Sequence, residues 1–184
     1  MVIVTRFPLA PAQVRQALTA LAIVRGGDPD AIAELGDTRD LPRPWDPATC
    51  PGDLRQQVWL WCDDVAGWLN RDYTWRPANL IPLCWPRHPH IANELPVLAC
   101  SRVAADDSTG PELLEEWHRH SLPMFLDRLA GRLGESTCRT GKHQDWPAAA
   151  RYDASTSTEA ITARHDLIHT DTHPPRQLHP TATG

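Results

Sequence analysis

Lysine is nearly missing from this chain: Lys142 is the one lysine among 18 basic residues, and the rest are arginines. With 18 prolines and abundant alanine, that bias points to a gene of very high G+C content, as in the actinobacteria. Long apolar runs are missing too. No stretch nears the roughly 20 apolar residues of a spanning helix, and Met1 to Phe7 has no basic segment leading into an apolar one. The expectation is a cytoplasmic protein with no membrane partner. Excess positive charge is absent, since the formal net charge is -5, which argues against a surface that engages nucleic acid as a whole. There is no P-loop, dinucleotide fingerprint or Gly-x-Ser-x-Gly elbow, no internal repeat, and no alternating strand pattern beyond Val2 to Val4. The five cysteines are odd in number and unevenly spaced. They read as free thiols or metal ligands rather than a disulfide framework.

What is present is enough apolar material, 41% of 184 residues, for one domain core with many interruptions. The expected fold is mainly α, a compact helical bundle whose loops are tied by a structural zinc. Residues 1–37 read as an N-terminal helical segment: Pro11 to Arg25 forms one helix that Gly26-Gly27 stops, and Asp28 caps a short second one. Residues 38–52, with prolines at 42, 44, 47 and 51, read as an extended linker. Residues 53–150 form the helical core domain. Its strongest segment is Asp53 to Tyr73, where Leu54, Val58, Trp61, Cys62, Val65, Trp68 and Leu69 fall on one stripe. His88 to Ala105 reads as a helix that Pro96 kinks or breaks. A long helix then starts at Thr109 and Pro111, carries Pro123 inside it, and ends near Gly134. Trp61, Val65, Trp68, Leu95, Leu98, Trp117 and Phe125 should share one buried cluster, because tryptophans on separate stripes are hidden by mutual packing. Residues 151–184, rich in Ser, Thr, His and Pro, read as a disordered tail.

Two pairs carry the chemistry: Cys84 with His88, and Cys138 with His143. Each spacing lets one loop present two donors to one ion. Two thiolates and two imidazoles complete the tetrahedral shell that zinc takes. Pro86 and Pro89 stiffen the first loop, and Gly141 lets the second bend. His90 is the nearest rival to His88, which gives the tighter loop. Cys62 and Cys100 sit among apolar neighbours and read as core packing, and Cys50 reads as an exposed thiol. Glu115, Glu116, His118 and His120 suggest a carboxylate and imidazole site but read as a solvated helix face. His165, His169, His173 and His179 offer weak metal affinity at most, because a disordered tail must first be ordered. Between Arg119 and Arg151, six basic residues stand against three acidic ones, a modest basic end able to touch phosphates.

The order of the motifs Leu83-Cys84-Trp85-Pro86-Arg87-His88-Pro89, Glu116-Trp117-His118-Arg119-His120-Ser121-Leu122-Pro123, and then Cys138 and His143 resembles a small actinobacterial family of unknown function. That family is commonly encoded on conjugative plasmids and integrative elements. The resemblance covers about Leu54 to Trp146 and implies no activity. The leading expectation is a non-catalytic, zinc-stapled accessory or interaction protein of a mobile element, with a protein partner. The alternatives are a DNA-binding accessory in plasmid transfer or maintenance, acting through the basic region 119–151, and a metal-dependent hydrolase, for which no open three-ligand site is visible.

Overall fold

Apolar side chains at three- and four-residue steps must share one helix face, and a face of that kind is stable only when another element covers it. The computed structural model, described over residues 4–134, 136–145 and 148–173, follows this rule throughout its first compact unit, Met1–Gln144. All regular structure among the described residues is helical. The expected alternation at Val2 to Val4 falls mainly on residues 1–3, which lie outside the described residues.

Helix α1 (Ala12–Gly26) ends at Gly27, whose φ of 74° suits glycine, and α2 (Pro29–Ala33) is capped by the Asp28 side chain, which accepts from the Asp30 N–H. The long helix α3 (Gly52–Asp72) buries every residue of its predicted stripe. Helix α4 (Pro89–Asp106) packs on α3 and runs through the buried Pro96. Next comes one continuous helical stretch: α5 (Glu112–Glu116), a π-helical turn (Trp117–Ser121) and α6 (Leu122–Leu133). The wider turn sits just before Pro123, which has no N–H for the preceding turn and would clash with it in regular α-helix. It lets both Trp117 and the Leu122, Phe125, Leu126 and Leu129 face reach the core.

Trp61, Val65, Trp68, Leu95, Leu98, Trp117 and Phe125 lie in one buried cluster, as expected. The indoles are satisfied as well as hidden. Trp117 Nε1 donates to the Leu98 carbonyl at 3.1 Å, and Trp61 Nε1 donates to the Pro8 carbonyl at 3.0 Å. The segment before α1 is thus tied across α3, with the Phe7 ring edge-on to Trp68 at 5.2 Å. Arg102 places its guanidinium 5.4 Å from the Phe7 ring centre and 5.6 Å from that of Trp117, within cation–π reach of both. Its neighbour Asp106 takes the charge.

The proline-rich stretch departs from the expected extended linker with an exposed thiol. Pro47–Thr49 forms a 3₁₀ turn started by the Asp46 side chain, Pro44 and Pro47 are buried, and Cys50 is only 3% exposed. The Cys50 thiol donates to the Arg43 carbonyl at 3.5 Å. Proline bars helix and central strand, but its ring is apolar and packs readily once a turn directs it inward.

The second unit, Asp145–Gly184, contains α7 (Ala149–Ser155) and α8 (Thr158–Thr172). Disorder was the expectation from residue 151 onward. Over 151–172 the chain is instead largely helical, and α8 starts on a Ser157 cap that accepts from the Ala160 N–H at 3.2 Å. No described side chain of this unit is buried, so these helices rest on local terms rather than on a core. Residues 174–184 of the expected tail lie outside the described residues. No helix among the described residues is long and apolar enough to cross a membrane.

Candidate metal centre

The first Cys/His pair is carried by a turn that α3 holds in place. Asn70 clamps the backbone of Ile81 at two points, its Nδ2 donating to the carbonyl at 2.9 Å and its Oδ1 accepting from the N–H at 2.8 Å. Ile81 and Pro82 are buried. Beyond them Trp85 is buried against Trp59, with ring centres 5.8 Å apart, and its Nε1 donates to Asp63 Oδ1 at 3.0 Å. With Trp85 fixed, the 3₁₀ turn Trp85–Arg87 sets Cys84 at its start and His88 at its end, where α4 begins. Proline at 86 and 89 suits the first turn of each helix. Cys84 Sγ and His88 Nε2 lie 3.4 Å apart.

The second pair is carried by the turn after α6. Thr137–Thr140 is a 3₁₀ turn that Gly141 closes at φ 87°, a left-handed conformation that a side chain would strain. The Thr137 hydroxyl donates to the Lys142 carbonyl at 3.0 Å, and the Thr137 N–H donates to Gln144 Oε1 at 3.2 Å. The loop therefore folds back, with Cys138 Sγ 4.0 Å from His143 Nδ1. The Gln144 N–H donates to Cys138 Sγ at 3.1 Å, the kind of backbone bond that supports a thiolate.

These two loops meet. One donor atom from each of Cys84, His88, Cys138 and His143 lies within 4.8 Å of every other. The rings of His88 and His143 are 5.0 Å apart between centres. Zinc–sulfur bonds of about 2.3 Å and zinc–nitrogen bonds of about 2.0 Å, arranged tetrahedrally, place sulfur and nitrogen about 3.5 Å apart. The observed 3.4 and 4.0 Å bracket that edge. His88 and Cys138 are buried, while Cys84 and His143 are partly exposed. The donor set fits a soft or borderline divalent ion on one side of the unit. All four donors come from residues singled out by spacing alone.

The two thiols act on each other. Burial, and then the neighbouring Cys138 sulfur, pushes the Cys84 thiol up. Burial would raise Cys138 as well, but hydrogen bonds from the Gln144 N–H and from Cys84 outweigh it and hold Cys138 below the ordinary thiol value. Cys138 is thus the first of the pair to become a ligand-ready thiolate.

The rivals lie elsewhere. His90 has its ring centre 5.8 Å from that of His88, and it is not in the group that converges. Its Nε2 is shielded without a hydrogen-bond partner, and burial and then Arg132 hold its pKa below the usual histidine value. Cys62 and Cys100 are buried in the core as expected. His118 Nε2 lies 3.1 Å from the Tyr73 hydroxyl, and His120 lies 3.9 Å from Glu116, both on an exposed face. Gln144, Asn70 and Asp63 were not foreseen. Gln144 supports Cys138 through its backbone N–H and the loop through its side-chain Oε1, and the first of these leaves no mark in a sequence. Asn70 and Asp63 are polar residues bordering the α3 stripe, where polar residues ordinarily meet solvent.

No protein-family model, curated protein or solved structure matches this chain.

Proposed function

We propose that Cys84, His88, Cys138 and His143 hold one structural zinc ion, and that the chain is a non-catalytic accessory or interaction protein. The convergence of two thiolates and two imidazoles from loops at opposite ends of the α4 to α6 segment carries this reading. Four protein donors fill a tetrahedral shell, which leaves no position for an activated water, and Cys2His2 is a common structural set. Such an ion supplies a crosslink. It fastens the turn before α4 to the turn after α6, across a segment whose helices carry Pro96 and Pro123. The mobile-element setting rests on the motif resemblance, and the partner of this reading is another protein.

The DNA-binding alternative has less to draw on than its charge count offered. Arg128 Nε binds Glu94 at 2.7 Å, and Arg132 pairs with the same carboxylate. Two of the basic residues in 119–151 are therefore partly neutralised. Metal analysis of the purified chain tests the zinc reading. One zinc per chain is expected in the parent and in Cys50→Ala, with a large loss in Cys138→Ser. Equal metal content in parent and Cys138→Ser overturns it.

A further inference from the structure

Helix α8 orders a part of the chain where histidines recur every fourth residue. His165 and His169 stand one turn apart on α8 and share a face, and His173 follows at the C-cap just beyond Thr172. All three are exposed. Ile161 precedes His165 by one turn on the same stripe, while Leu167 falls on the opposite side of α8. No described side chain of this unit is buried, so these imidazoles have no core to pack against.

The hydrogen bonds at the end of α8 decide which ring nitrogen of His173 is free. Thr172 Oγ1 donates to backbone carbonyls, with Ile168 O at 2.9 Å and His169 O at 3.2 Å. Its lone pairs are left to face His173 Nδ1 at 3.0 Å, and the other neighbour of Nδ1 is His169 O at 3.3 Å. Both partners accept. Nδ1 must carry the hydrogen, and in the neutral ring Nε2 keeps its lone pair. A backbone carbonyl that orients a histidine through its other nitrogen is the usual support of a metal-binding imidazole. The His173 ring lies parallel to that of His169, with centres 4.3 Å apart and planes 12° from parallel. Two imidazole nitrogens on one ion stand about 3 Å apart, so a modest rotation of exposed side chains closes the stack onto an ion.

We propose that His169 and His173 form a second metal site at the C-terminal end of α8, which takes a borderline divalent transition ion such as Ni²⁺, Cu²⁺ or Zn²⁺. Imidazole donors suit these ions. A shell of two exposed imidazoles is completed by water, so the ion exchanges freely and the site differs in kind from the four-donor centre. This proposal does not depend on zinc at Cys84, His88, Cys138 and His143.

Calorimetric titration with Ni²⁺ of the full-length chain carrying one equivalent of zinc and no excess tests it. The parent should bind one Ni²⁺ per chain with its zinc content unchanged. His169→Ala and His173→Ala should each weaken binding by roughly tenfold or more, while His120→Ala should leave it unchanged. Alanine at these exposed positions favours helix, so lost folding does not explain a lost site, and circular dichroism of each variant checks this. Unaltered Ni²⁺ affinity in both α8 variants overturns the proposal. So does the absence of Ni²⁺ binding by the parent. Thiolate-to-nickel absorption that survives both substitutions would place the ion at the cysteines and also overturns it. A chain that lacks zinc at the cysteine centre but loses Ni²⁺ binding on His169→Ala fails the first reading and upholds this one.

Discussion

Taking the metal out of the four-donor centre should lower the thermal midpoint of the Met1–Gln144 unit by about 10 °C. The reasoning starts from connectivity. Cys84 and His88 precede α4, and Cys138 and His143 follow α6, so a shared ion closes a loop of roughly fifty residues. Chain-entropy arithmetic for a crosslink of that span gives about 4 kcal/mol of stabilisation at room temperature. That is a large part of the roughly 5–15 kcal/mol that holds a domain together. For a chain of this size each kcal/mol moves the midpoint by about 2–4 °C. The assay is differential scanning calorimetry on three samples: protein as purified, protein treated with a strong zinc chelator and freed of the complex, and Cys138→Ser. The last two should melt at similar temperatures, well below the first, and zinc should restore the chelated sample but not the variant. A chelated sample, proven free of metal, that melts within about 2 °C of the parent would refute the crosslink argument.

Other outcomes follow from the core and its charges. Trp117→Ala should cost about 3–5 kcal/mol in urea denaturation, because it empties a fully buried site and removes the bond to the Leu98 carbonyl. Cys62 and Cys100 should resist thiol reagents in the folded protein and react only on unfolding. Burial raises both thiols, and Cys100 is pushed up to about 12, which leaves roughly one thiolate in ten thousand at pH 8; rapid labelling of either by Ellman's reagent in native buffer would contradict this. Glu94→Gln should destabilise by about 1 kcal/mol at pH 7. Burial acts to raise the Glu94 carboxyl, but Arg128 and Arg132 outweigh it and hold the carboxyl below its usual value. The stabilisation is therefore present above the unfolded carboxylate value, about 4.3, and is lost as pH falls through the lower folded one. Parent and variant should converge in urea stability only well below about pH 4.3, once Glu94 is protonated in the folded state too, and a gap that persists there would contradict the pairing.

The helix spacing was legible because it follows from burial. Leu54, Val58, Trp61 and Trp68 repeat at helical steps because one face of α3 is covered, and the same pattern places Leu95, Leu98 and Phe125 in the shared core. The converging cysteines and histidines were legible for a local reason, since each Cys/His pair sits in a single loop. The partnering of the two loops rests on long-range packing of α3, α4 and α6, which no short spacing reports. Cys50 was misread as exposed because proline content says what a segment cannot form, and not which way its turn faces. Over α7 and α8 the chain lacks the apolar stripe that would announce a helix, and what remains is a Ser157 cap and ordinary propensity. The π-helical turn at Trp117–Ser121 follows from Pro123 together with the need to bury residues on both sides of it.

X-ray absorption at the zinc K edge of the chain as purified tests the central claim most directly, because it reports donor type, number and distance together. The account predicts one zinc per chain with two sulfurs at about 2.3 Å and two imidazole nitrogens at about 2.0 to 2.1 Å. A spectrum dominated by oxygen or water donors, or purified protein without stoichiometric zinc, would contradict it.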